Sequence, residues 1–168
     1  VSPTGSDDAS TTGTQSDPFK TINYAMSRIY ATEDEAVTIN LTEGIFSPDS
    51  TGEFFPIIML SYINLYGAGQ NNTILDANNT ARVLLFYNNY QAVVKDLSIK
   101  NGYAPEINEY EWYDGMGGGI LSVYSGVELI NLNISNNEAN MGGGVTFYRS
   151  EPKISNTIIS DNTASTGG

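Results

Sequence analysis

The chain has 168 residues, 40% of them hydrophobic, with 19 acidic against 7 basic side chains and neither Cys nor His. At this length one domain is expected, large enough to bury a core without disulfides. A net charge of −12 argues against nucleic acid, and without His or Cys there can be no thiol nucleophile, histidine base or Cys/His zinc site. No apolar run approaches the ~20 residues of a membrane helix, and a resident metal would have to be a hard cation held by oxygens.

In chain order, the first segment opens at Val1 without a Met, which suggests a processed or excised piece. Asp7, Asp8 and Asp17 bracket a Gly/Ser/Thr-rich loop. These three acids are the candidate ligands for a structural Ca²⁺; otherwise no cofactor is expected. SDPFKTINYAMSRIY (16–30) predicts an amphipathic helix with Asp17 as N-cap and Pro18 in the first position. Phe19, Ile22, Ala25, Met26 and Ile29 fall on one face. Residues 1–35 thus read as a lead-in strand, loop and cap, and residues 36–168 as the body.

The body is repetitive. MGGGILSVYSGVELINLNISNNEAN (116–140) lies over MGGGVTFYRSEPKISNTIISDNTAS (141–165) without a gap, so Met116 falls on Met141 and the period is 25 residues. Val94, Asp96, Leu97, Ile99, Asn101 and Ala104 fall under Leu129, Asn131, Leu132, Ile134, Asn136 and Ala139. Looser units lie upstream in AVTINLTEGIFS and IIMLSYINLYGAGQNNTILDANN, and Gly167 and Gly168 begin another. Each unit holds short period-2 apolar runs, which predict strands. About 25 residues with three short strands make one coil of a solenoid, in which equivalent strands stack in parallel at ~4.8 Å. Ala92/Val127/Pro152, Val94/Leu129/Ile154 and Ile99/Ile134/Ile159 become interior columns. Asp96/Asn131/Asn156 and Asn101/Asn136/Asp161 become corners, where Asn and Asp tolerate the left-handed region and bond along a ladder. The Gly triplets suit another corner. The expected architecture is all-β, a solenoid of about four to five coils closed by an N-terminal helix. Its last coil is open, an edge through which a second copy could associate.

VSPTGSDDASTTGTQSDPFKTINYA, INLYGAGQNNTILD, VVKDLSIKNGYA and the MGGG repeats resemble the lead-in, capping helix and coils of the pectate-lyase-like right-handed parallel β-helix superfamily. The likeness spans essentially the whole chain. It implies a right-handed parallel β-helix, and the GGG repeats are most similar to those of large bacterial surface or secreted proteins. An extracellular or cell-surface location follows from the resemblance. Four Asn-x-Ser/Thr sequons, at Asn40, Asn71, Asn78 and Asn133, carry little weight in a chain so rich in Asn and Thr.

Lyases of this superfamily hold Ca²⁺ with carboxylates from adjacent coils and use Lys or Arg as base. Here each corner column holds a single acid, Asp96 or Asp161, beside two amides, which reads as an amide ladder. Lys153 stacks on Glu128 and Arg149 on Tyr124, while Lys95, Lys100 and Arg82 have no acidic neighbour in their columns and read as solvated surface charges. No catalytic residue is assigned. The expected function is a non-catalytic module for adhesion or carbohydrate binding. The alternative is the front of a polysaccharide lyase or glycoside hydrolase whose catalytic coils lie beyond residue 168.

The distinctive surface is the insertion 103–114. Tyr103, Tyr110, Trp112 and Tyr113 stand among Glu106, Glu109, Glu111 and Asp114. Aromatic faces stack on sugar rings while Glu109 and Glu111 accept from hydroxyls. Insertions in repeat proteins project from one face, often the binding face. The opposing expectation is that these aromatics fold back over a strand face.

Overall fold

The computed structural model describes residues 1–105 and 113–167. One helix, α1 (Ile22–Arg28), precedes five coils of strands. The first coil holds β1 (Val37–Asn40) and β2 (Gly44–Phe46), and the second β3 (Ile57–Met59), β4 (Ile63–Tyr66) and β5 (Thr73–Asp76). The third holds β6 (Leu84–Tyr87), β7 (Tyr90–Lys100) and β8 (Tyr103–Ala104), and the fourth β9 (Ile120–Val123), β10 (Gly126–Ser135) and β11 (Glu138–Met141). The fifth holds β12 (Val145–Tyr148), β13 (Lys153–Ser155), β14 (Ile158–Ser160) and β15 (Thr163–Thr166). Equivalent strands pair in parallel from coil to coil, in the orders β1-β4-β7-β10-β13, β3-β6-β9-β12 and β8-β11-β15. The architecture is a parallel β-helix.

The expected columns hold. Val94 faces Leu129, Leu129 faces Ile154, Ile99 faces Ile134, and Ile134 faces Ile159. Val94, Leu129, Ile99 and Ile134 are wholly buried, each contributing about 1.5–3 kcal/mol of apolar transfer. Corner positions take the left-handed conformation, with φ near +50 to +60° at Asp96, Asn131 and Asn156 and again at Asn101, Asn136 and Asp161. The Asn131 Nδ2 donates to Asp96 Oδ1 at 2.7 Å, so the predicted ladder forms. Gly117, Gly142 and Gly167 share φ of 62–66°, the third corner. Gly118 is required for another reason: a Cβ there would run into the Glu138 carbonyl oxygen.

A further corner escapes the sequence pattern. Asn88, Tyr124 and Arg149 are left-handed at φ 48–49°, although Tyr and Arg do not favour that region. Tyr124 and Tyr148 meet edge to face at 5.9 Å, and Arg149 lies over both rings, as its stacking on Tyr124 predicts. A second internal ladder lies one residue past the exposed corner. Asn137 is buried; its amide donates to the Ile99 and Ser135 carbonyls and to Asn162 Oδ1, while its own Oδ1 accepts from Gly102 N–H.

The N-terminal end differs in detail from expectation. The helix begins at Ile22, with Thr21 rather than Asp17 as N-cap, accepting from Tyr24 N–H. Its first donors, Ile22 N–H and Asn23 N–H, go to the buried carboxylate of Glu53 at 2.6 and 3.1 Å, and Asn23 Nδ2 adds a third bond at 2.7 Å. This couples the cap to the second coil, and burial pushes the Glu53 carboxyl above the usual range despite those donors. The lead-in strand reduces to one residue: Val1 donates to Asn40 O and accepts from Thr42 N–H, placing it in parallel beside Leu41.

Candidate functional site

The residues expected to bind fall in three places. Tyr110, Trp112, Glu109 and Glu111 lie outside the described residues. Tyr103 sits in β8, its N–H bonded to Ala81 O, beside a cavity of about 410 Å³ that also meets Arg82 and Asp114. Tyr113 packs against Tyr87 with ring centroids 6.2 Å apart. Arg82 is not a solvated surface charge. Its guanidinium is largely buried and donates to the carbonyls of Tyr113, Met116 and Gly117, so it clasps the end of the insertion to β6. Burial lowers its pKa, while the nearby charge of Asp114 works the other way. Leu121 and Val123 take the outward positions of β9 and are wholly buried.

The acidic trio of the first loop is divided among local bonds. Asp7 accepts from Lys20 N–H, Thr21 N–H and the Thr21 hydroxyl. Asp8 accepts from Ser6, and Asp17 from the Thr12 amide and hydroxyl. Among the described residues no three Asp, Glu, His or Cys side chains gather as a metal-ligand set.

A groove of about 630 Å³ runs across the corner between β3-β6-β9-β12 and the long sheet, and the sequence pattern did not single it out. Its formation is local. Opposite Gly126 stands Tyr90, and opposite Val127 stands Ala92, so Gln91 is an extra residue in β7, held at φ 56°. Such a bulge bends the strand and re-aims its neighbours. Tyr90 is thereby 60% exposed at the groove wall, beside Tyr62, whose N–H bonds Tyr90 O. Gly126 leaves the corner column empty at the next coil. Its φ is not left-handed and a Cβ built there meets nothing within 4 Å, so neither backbone strain nor crowding requires a glycine. Asn64 stiffens the floor by accepting from Val93 N–H and donating to the Thr38 hydroxyl. Glu33, Glu128 and Glu151 stand around the groove with one cation, Lys153, which faces Glu128 in the ladder. One signal was available in the sequence: the stretch from Leu84 to Ala92 is one residue longer than its counterpart from Ile120 to Val127.

The groove can hold a flat-faced, hydrogen-bonding ligand. Its volume lies within the ~300–1,000 Å³ common for ligand sites, and its walls combine aromatic faces with carboxylate and amide groups.

The sequence profile of the family described as "Protein of unknown function (DUF1565)" matches residues 4–167. The chain belongs to the DUF1565 family. No curated protein matches this DUF1565 chain. It is similar to the solved structure of a pectin methylesterase mutant in complex with hexasaccharide IV, at 12% identity and a TM-score of 0.49. The alignment covers 85% of this chain and 47% of that one, so the DUF1565 chain spans about half the length of that protein. Among its described residues, no helix is long and apolar enough to cross a membrane.

Proposed function

We propose that this DUF1565 β-helix, of the pectate-lyase-like kind that its repeats resemble, is a carbohydrate-binding module working on an extracellular or cell-surface glycan. The observation that carries the reading is the groove at the Gln91 bulge, where exposed Tyr90 and half-buried Tyr62 border an empty column position at Gly126. Tyrosine rings offer apolar faces to the C–H faces of pyranoses at little entropic cost, while Glu128, Glu151 and Gln91 accept and donate at the rim. The groove rather than the insertion carries the reading, because its side chains converge on one concavity.

The test is Tyr90→Ala, measured by calorimetry against oligosaccharides selected on a glycan array. Tyr90 is exposed and its ring lies outside the core, so melting is expected to change little while affinity falls at least tenfold. Unchanged affinity would remove the groove as the glycan site.

A further inference from the structure

The groove's charge narrows its ligand. We infer that it selects glycans built of unacetylated amino sugars, whose rings carry ammonium groups, over uronates; the inference rests on the glycan-binding reading above. Three carboxylates, Glu33, Glu128 and Glu151, border the groove against one ammonium, Lys153, in a chain of net charge −12. A polyuronate brings one carboxylate per sugar into that field and is repelled. A neutral sugar gains stacking and hydroxyl hydrogen bonds to the rim, without charge assistance. A glucosamine oligomer gains the same stacking on Tyr62 and Tyr90, and its ammonium groups can donate charge-assisted bonds to the rim carboxylates. The carboxylates, Glu33 before the first coil, Glu128 on the fourth and Glu151 on the fifth, spread the negative potential along the solenoid axis. That arrangement suits a polymer with a repeated cation better than a single charge.

Gly126 makes the inference testable without endangering the fold. A side chain there enters open space from an ordinary backbone conformation, so Gly126→Trp fills the groove and is expected to fold as the parent does. Calorimetry below neutral pH, where sugar amines are protonated, would compare a glucosamine tetramer, its N-acetylated form, a galacturonate tetramer and tetralysine. At least tenfold tighter binding of the glucosamine tetramer than of any other probe is expected. That preference should shrink as salt rises and in a Glu128→Gln/Glu151→Gln variant, while Gly126→Trp removes binding. Equal affinity for the N-acetylated form, or tighter binding of galacturonate, overturns the amino-sugar inference and leaves the glycan reading standing. Tetralysine binding as tightly as the sugar overturns it too, since charge alone would then account for recognition. Failure of every saccharide, or binding untouched by Gly126→Trp, removes both.

Discussion

The middle coils and the fifth coil are built from similar residues and differ in burial. In the middle coils Val94, Leu129, Ile99 and Ile134 are wholly buried, each between a coil above and a coil below. In the fifth coil Ile154 and Ile159 hold the same columns and are 45% and 43% exposed. At the other end α1 covers the stack, with Ile22 buried and the helix tied down by Glu53. Burial in a parallel β-helix is therefore supplied by the neighbouring coil and not by the residue's own pattern.

The largest test of this contrast is a pair of truncations. Leu129→Ala should lower stability by about 2–5 kcal/mol, because a cavity opens between two coils. Ile154→Ala, in the same column, should lower it by less than about 1 kcal/mol, since little apolar area leaves water at an exposed site. Urea unfolding measures both. Similar losses would mean that the last coil is covered in solution, and a concentration-dependent midpoint would identify a second copy as the cover.

A smaller difference is expected in the buried amide ladder. Asn137→Ala strands the Gly102 N–H and the Ile99 and Ser135 carbonyls inside the solenoid, which should cost about 2–3 kcal/mol. Asn162→Ala, one coil later, frees the Ile134 carbonyl and Asn137 N–H beside a half-buried position of the fifth coil. There water can replace the lost partner, and about 1 kcal/mol is expected. Reversal of that order would place the well-ordered end of the stack at the fifth coil.

The cap provides the smallest effect and one with a pH signature. Because burial raises the Glu53 pKa, the folded chain retains a proton that the unfolded chain releases first. This group's contribution to stability is full below the unfolded value and is lost as pH rises through the higher folded value. Glu53→Gln should cost a constant increment from the weakened Ile22 bond and abolish that pH-dependent fall. The readout is the difference between parent and variant urea midpoints across mildly acidic pH. A difference that does not vary with pH would mean that the carboxylate is ionised as readily in the folded cap as in the unfolded chain.

Much of this was legible in the residues, for a physical reason. A 25-residue period forces equivalent positions into columns, so aligning Val94, Leu129 and Ile154 also aligns their contacts. Asn and Asp at Asp96, Asn131 and Asn156 mark left-handed corners because few other side chains tolerate them. The corner at Tyr124 and Arg149 was hidden because neighbouring rings, rather than intrinsic preference, hold the backbone there. Arg82 read as a surface charge because its partners are carbonyls of a distant turn, and a carbonyl leaves no mark in sequence. Glu53 was missed likewise: it caps a helix some thirty residues before it.

The sequence by itself determined the coil, its period, its interior columns and three of its corners, because those depend on local patterns repeated at a constant spacing. Only the tertiary structure decided where the surface becomes concave. The groove arises where the bulge at Gln91 meets the missing side chain of Gly126, two residues on different coils that become neighbours only when the strands stack.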